Sequence, residues 1–243
     1  MKKLIFLIIL PLFVISCITI YAPSSSPAGA PLSKPKIKEI KKSFDFSPHS
    51  TLRMDAQVGV YKIEGKPLKK LLYTGTVSGS TPDFFYDVDF SIRKEKENLI
   101  VLKTSVFKKS IKEVDITGKI LLPFETNIIG KFSEAKVTVN SVRGNINLVG
   151  EYLNSTLVDV SGNIKVKADS GHIRLTILEW EKGDSYSVEL NEGDIEFFAP
   201  KEAKLTIITE ASDNKITKKY EFKKGETKVF LKIRRGDIII DKI

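Results

Sequence analysis

The sequence predicts an all-β fold, a solenoid or β-roll entered through irregular N-terminal β-strands. Three observations predict it. First, a phrase of glycine, a short polar residue and isoleucine occurs five times, as Gly144-Asn145-Ile146, Gly162-Asn163-Ile164, Gly171-His172-Ile173, Gly193-Asp194-Ile195 and Gly236-Asp237-Ile238. A degenerate copy, Asp213-Asn214-Lys215-Ile216, falls between the last two. Second, most intervals from one of these isoleucines to the next are near twenty residues, a spacing that marks stacked repeats. Third, apolar and polar residues alternate on both sides of each phrase, and no long stretch has helical periodicity.

Each phrase predicts a sharp bend. Glycine takes a positive φ without steric cost, and Asn or Asp tolerates the left-handed region and bonds to nearby backbone. The flanks read as strands with one buried face, as in Tyr186, Val188, Leu190, bend, Ile195, Phe197. One such unit cannot bury its apolar face alone, whereas units stacked about 4.8 Å apart share one interior. Ordinary hairpins are the competing reading, because Gly-Asn and Gly-Asp also suit two-residue turns. Hairpins do not by themselves require a recurring interval.

The chain's start carries a different signal. Met1-Lys2-Lys3 is a positive segment, Leu4 to Val14 is apolar, and Val14-Ile15-Ser16-Cys17 looks like the lipobox of bacterial lipoproteins. That likeness implies cleavage before Cys17, the only cysteine, and acylation of it. An uncleaved transmembrane anchor over Leu4 to Ala22 is the alternative, with Pro11 in its middle. Either way the protein is expected outside the cytoplasm and held to a membrane. Ile18 is not the aspartate that retains some lipoproteins in the inner membrane, which points to the outer membrane or cell surface.

Residues 1–16 are therefore expected as signal peptide, 17–43 as a lipid-anchored linker rich in Pro, Ser and Lys, and 44–243 as the folded part. Pro23, Pro27, Pro31 and Pro35 favour an extended spacer. Five lysines against one glutamate follow in Lys34 to Lys42; beside an anchor they could touch anionic head groups, or simply solubilise the linker. From Phe44 the chain reads as strands: Phe44 to Phe46, Thr51 to Met54, Gly59 to Ile63, Leu71 to Thr74, Phe84 to Ile92, Leu99 to Leu102, Ile116 to Pro123 and Ala135 to Val139.

The Gly-[Asp/Asn]-Ile bends, the entry Leu121-Leu122-Pro123, the strand from Thr51-Leu52 to Gly59-Val60 and the terminal Arg235-Gly236-Asp237-Ile238 resemble the "putative adhesin" β-strand-repeat family of bacterial envelope proteins. The resemblance covers Phe44 to Ile243 and implies a right-handed parallel β-solenoid exported to the envelope. His172 stands where the family has Asp or Asn, and the bend near Asn214 lacks its glycine. The family supplies no catalytic residues.

Chemistry has few footholds. The only histidines are His49 and His172, expected as a surface turn residue and a bend residue rather than as members of a Ser-His-acid group. Two isolated histidines and a lone Cys17 make no zinc site, so neither metal nor cofactor is expected. Asp83, Asp87 and Asp89 lie close in sequence; Asp87 and Asp89 on one strand face could bind calcium, but a solvated outer face opposite Phe84, Tyr86, Val88 and Phe90 accounts for them. Arg235-Gly236-Asp237 falls on a bend that recurs without arginine. Trp180 packs against the repeats or stacks on carbohydrate. The lysine and arginine excess of nine is strewn without interleaved aromatics, which argues against nucleic acid.

The expectation is a non-enzymatic envelope lipoprotein, lipidated at Cys17, that acts as an adhesin-like binding or scaffolding module toward an envelope protein or polysaccharide. A polysaccharide-active enzyme and an accessory sensor in an envelope-stress system are the alternatives. A strand edge at Ile238 to Ile243 would invite a partner or a second copy.

Overall fold

The decisive feature of the architecture is how little chain separates strands that lie side by side. A computed structural model describes residues 36–79, 88–106, 114–212 and 216–243. They form β1 (Lys36–Asp45), β2 (Thr51–Lys66), β3 (Lys70–Gly79), β4 (Val88–Lys96), β5 (Leu99–Val106), β6 (Val114–Pro123), β7 (Asn127–Arg143), β8 (Ile146–Ser161), β9 (Asn163–Thr176), β10 (Ser185–Ala199), β11 (Lys204–Ala211), β12 (Ile216–Lys218) and β13 (Lys223–Lys242). These strands make one 13-stranded sheet of order β1-β3-β6-β2-β7-β8-β9-β10-β13-β11, with β12 on β13, and β4 joined through β5 to β2. Among the described residues there is no helix. From β2 through β7, β8, β9, β10 and β13 every neighbour is parallel.

Parallel neighbours ordinarily need a crossover of a dozen or more residues. Only Gly144 and Asn145 separate β7 from β8, and only Gly162 separates β8 from β9. Strands β7 and β8 therefore bend within themselves, so that each returns close to its own start. The pairing Ile128↔Ile146↔Ile164 sets an interval of eighteen residues from β7 to β9, and the partner of Ile164 on β10 is Tyr186.

The alternation shows how the corners work. In β10 Tyr186, Val188 and Leu190 are buried, followed by Ile195, Phe197 and Ala199. Strict period two would turn Ile195 outward. The odd step from Leu190 to Ile195 spans the bend and keeps both sets on one side. In β7 two such slips, Phe132 to Ala135 and Val139 to Val142, do the same. The interior is thus a set of in-register stacks, for example Leu52, Ile128, Ile146, Ile164, Tyr186 and Val229, all at most 2% exposed.

The five predicted bends fall into two columns rather than one. Gly144 and Gly162 occupy one corner; Gly171, Gly193 and Gly236 stack at another. All five have positive φ, at 151°, 110°, 140°, 129° and 126°. The Asn and Asp beside them play a different part from the one expected. Positive φ outside glycine occurs, among the described residues, only at His49, Ser141 and Asp159, so none of the bend Asn or Asp residues uses the left-handed region. Instead the backbone N–H that follows the bend glycine donates to a side-chain oxygen on the neighbouring strand: Asn145 N–H donates to Asn127 Oδ1 at 2.9 Å, His172 N–H to Asn154 Oδ1 at 3.0 Å and Asp237 N–H to Asp194 Oδ1 at 3.2 Å. Asn163 Nδ2 donates to Asn145 Oδ1 at 3.1 Å, and Ser185 Oγ to Asn163 Oδ1 at 2.8 Å. Asn127 also reaches back, donating to the His49 carbonyl at 3.0 Å. Asn127→Ala removes both bonds and is expected to lower stability by about 1–2 kcal/mol, read from the urea midpoint; an unchanged midpoint would deny the ladder a structural role.

The irregular N-terminal entry includes antiparallel pairs, β1–β3, β3–β6 and β4–β5. Two expectations need correction. Lys36 to Ser43, assigned to the linker, are strand β1, paired antiparallel with β3. The edge expected at Ile238 to Ile243 is covered along Ile238, Ile239 and Ile240 by β12. Strand β13 lies between β10 and the pair β11 and β12, with Val229 opposite both Tyr186 and Ile207, and Ile238 opposite both Ile195 and Ile216. Among the described residues, the unpaired edge at this end belongs to β11 and β12. Asn214 and the rest of 213–215 lie outside the described residues, although Ile216 keeps its column.

Candidate functional site

The residues first considered for catalysis are dispersed by the fold. His49 is an exposed turn residue whose N–H donates to the Glu125 carbonyl. His172 Nε2 lies 3.8 Å from Glu196, which also pairs with Arg174 at 3.2 Å, while the Arg174 guanidinium sits 4.5 Å over the Phe198 ring. This is an outward ionic rung, not a nucleophile's base. Asp89 is exposed on β4. Asp83, Asp87 and Cys17 lie outside the described residues. No group of three or more His, Cys, Asp or Glu among the described residues is placed to hold a metal ion. Trp180 is half-buried against the core, and Arg235 is tied to Glu192 at 2.8 Å.

The fold does create an ordered outer surface. In-register parallel pairing makes columns of like-placed side chains, one of which runs Asp55, Lys131, Val149, Lys167, Glu189, Lys232 and Glu210. Lys167 pairs with Glu189 at 3.4 Å and Lys232 with Glu210 at 2.8 Å. The hydrogen bond that Lys232 donates to the Glu210 carboxylate raises the Lys232 ammonium above its ordinary range. These exposed pairs contribute little stability each. Their effect is to leave the C-terminal half of the surface nearly neutral.

The N-terminal half differs. Strands β1, β3, β6 and β2 bring together two outward columns, Lys41, Thr74, Lys119 and Lys62 on one side and Glu39, Thr76, Thr117 and Val60 on the other. Between them runs a groove of about 470 Å³ whose floor includes the backbone of Gly75 and Gly118. Those glycines are required from beneath. A Cβ on Gly118 would press at 3.0 Å on both the Tyr61 and Tyr73 rings, and one on Gly75 would land on the Tyr73 hydroxyl. Tyr61 donates to the Val58 carbonyl at 3.1 Å and Tyr73 to the Thr117 carbonyl at 3.4 Å. Burial pushes the Tyr61 hydroxyl up to about 12 and raises Tyr73 as well, so both remain donors.

On the rim, the Thr76 and Thr117 hydroxyls share a bond of 2.8 Å. Lys41 has only a loose partner in Glu39, 3.5 Å away with both side chains largely exposed. Lys66, 2.6 Å from Glu64, holds that carboxyl below its usual range, with smaller help from Lys62 and Lys119. The sequence reading singled out the lysines near Lys41 but not Lys62, Lys119 or the threonines. They come together through three pairings, β1 with β3, β3 with β6 and β6 with β2, for which the chain carries no repeat signal.

No family model matches the chain, and no curated protein matches it. Among solved structures, a "putative cell adhesion protein" from Clostridium sporogenes aligns over 86% of this chain and 100% of its own, at 16% identity and a TM-score of 0.51. The two chains share one fold. A "putative adhesin" from Bacteroides fragilis aligns over 88% of this chain and 100% of its own at 15% identity and a TM-score of 0.38. A "putative lipid binding protein" from Parabacteroides distasonis aligns over 86% and 97% at 14% identity and a TM-score of 0.28. The resemblance read from the bends thus has a structural counterpart in the Clostridium sporogenes protein.

Proposed function

We propose that this protein is an envelope lipoprotein, anchored through Cys17 at the outer membrane or cell surface, whose folded part is a right-handed parallel β-solenoid acting as a non-enzymatic adhesin-like or scaffolding module. The carrying observation is the set of outward columns held in register across successive strands. Such a surface presents a side chain at each strand spacing along an extended line, which suits a polymer or another repetitive envelope component better than a single small molecule. The shared fold with a protein named for cell adhesion supports the reading. Right-handedness follows from the strong preference of parallel strands for right-handed return connections. An envelope protein or polysaccharide is the partner class.

The test is labelling with a radioactive fatty acid in a bacterial host, followed by protease treatment of intact cells. Wild-type protein is expected to take up label, to partition with membranes and to be digested from outside. Cys17→Ala is expected to lose the label entirely and appear in the soluble fraction. Equal labelling of the two would sink the anchor, and full protection until the cells are broken would move the protein inside the envelope.

A further inference from the structure

The formal charge is divided unevenly along the chain. Residues 36–143 hold 20 Lys and Arg against 13 Asp and Glu, whereas residues 144–243 hold 16 against 17. The folded part's net positive charge therefore belongs to the N-terminal half. Within that half the groove over β1, β3, β6 and β2 concentrates it, with Lys41, Lys119 and Lys62 on successive or next-but-one strands of one column and a single acid, Glu39, among the lining residues. Resting on the reading of the protein as an envelope binding module, we propose that this groove binds a linear acidic polysaccharide, one carrying carboxylates along a hydroxyl-rich chain.

The geometry selects that partner over others of the same charge. The groove runs across the strands, so a ligand lying in it meets one rung about every 4.8 Å, close to the advance of an extended glycan per sugar. The column that borders it offers, in order, Lys41, Thr74, Lys119, Lys62, Thr138, Thr156 and Arg174. Cations and hydroxyls alternate along it in short runs, which matches carboxylates and hydroxyls presented at sugar spacing. The opposite rim supplies the Thr76 and Thr117 hydroxyls and the half-exposed apolar Val60, at 50%, against which the C–H face of a sugar ring can lie. A bilayer is flat and meets ridges, not a floor of glycine backbone. A nucleic acid would call for aromatic rings for base stacking, and none lines this groove.

The experiment is calorimetric titration of the full-length chain with polygalacturonate oligosaccharides, with the fully methyl-esterified oligosaccharides as the uncharged counterpart, and with vesicles of phosphatidylglycerol in phosphatidylcholine. The acid form is expected to bind, the ester form not, and the affinity to fall as salt is raised. Lys62→Gln/Lys119→Gln is expected to weaken binding about tenfold, as loss of two exposed ionic contacts implies. Lys165→Gln/Lys228→Gln removes the same charge from exposed positions on β9 and β13 and is expected to leave affinity unchanged. Equal weakening by both pairs would reduce the effect to net charge and overturn the site. So would equal binding of ester and acid, or binding to the vesicles with none to polygalacturonate. A chain that ignores polygalacturonate yet remains lipidated at Cys17 and surface-exposed fails this inference alone, while the tethered binding module stands.

Discussion

Gly193→Ala is expected to destabilise the fold by about 3–5 kcal/mol, whereas Gly183→Ala, at a residue of comparable backbone strain, costs about 1–2 kcal/mol. Both glycines have positive φ, 129° and 99°. They differ in what a side chain would meet. A Cβ on Gly193 falls on the carbonyl oxygen of Gly171 in the preceding strand, and a Cβ on Gly236 falls on that of Gly193. Nothing lies within 4 Å of the Cβ position at Gly183. The difference between the two variants therefore isolates close backbone stacking from torsional strain. It is read from the shift of the urea midpoint at unchanged slope. Equal shifts would mean that the corner column tolerates a wider strand spacing and that these glycines are there for torsion only. A Gly236→Ala variant should follow Gly193→Ala, because its added carbon meets the same type of atom one strand on.

That column also shows what the sequence could and could not disclose. Gly171, Gly193 and Gly236 are legible because the Gly-Xaa-Ile phrase recurs there; Gly59, with φ 141°, occupies the same corner in β2 without that phrase. In β7 and β8 the same position is Ala135 and Leu153, without positive φ, and no phrase marks it. The other corner is occupied in turn by Thr126, Gly144, Gly162, Asp184 and Thr227; only its two glycines announce themselves. Three different chemistries satisfy that backbone, so a motif search sees a fragment. Strand order after β10 was illegible for another reason. Leu205 to Thr209 and Lys228 to Ile233 alternate equally well, and nothing local says that the last strand inserts beside β10 while β11 is displaced outward. The groove inherits both difficulties, since it depends on which strands pair at the N-terminal end.

The non-glycine solution at the second corner leads to the other large effect. Asp184→Ala is expected to cost about 3 kcal/mol or more, because three donors converge on one carboxylate that is only 9% exposed. Gly162 N–H donates to Oδ1 at 3.0 Å, Glu181 N–H to Oδ2 at 2.9 Å and the Tyr186 hydroxyl to Oδ2 at 3.2 Å. The first bond ties the corner of one repeat to the next, and the second closes the insertion between Thr176 and Ser185. Alanine leaves both amides without an acceptor in a place where water is scarce. Tyr186 loses less, since the Val160 carbonyl lies 3.4 Å away, so Tyr186→Phe should cost about 1 kcal/mol. Asp184→Asn keeps one acceptor oxygen and should fall between the two. Trp180, the only tryptophan, is half-buried beside Glu181 and reports on the insertion directly. Its emission should shift to the red in Asp184→Ala while remaining unchanged in Tyr186→Phe. A red shift without a change in the urea midpoint would show that Asp184 only pins the insertion. A lowered midpoint with native emission would place its whole contribution at the Gly162 corner. Both changes together are what the shared carboxylate requires.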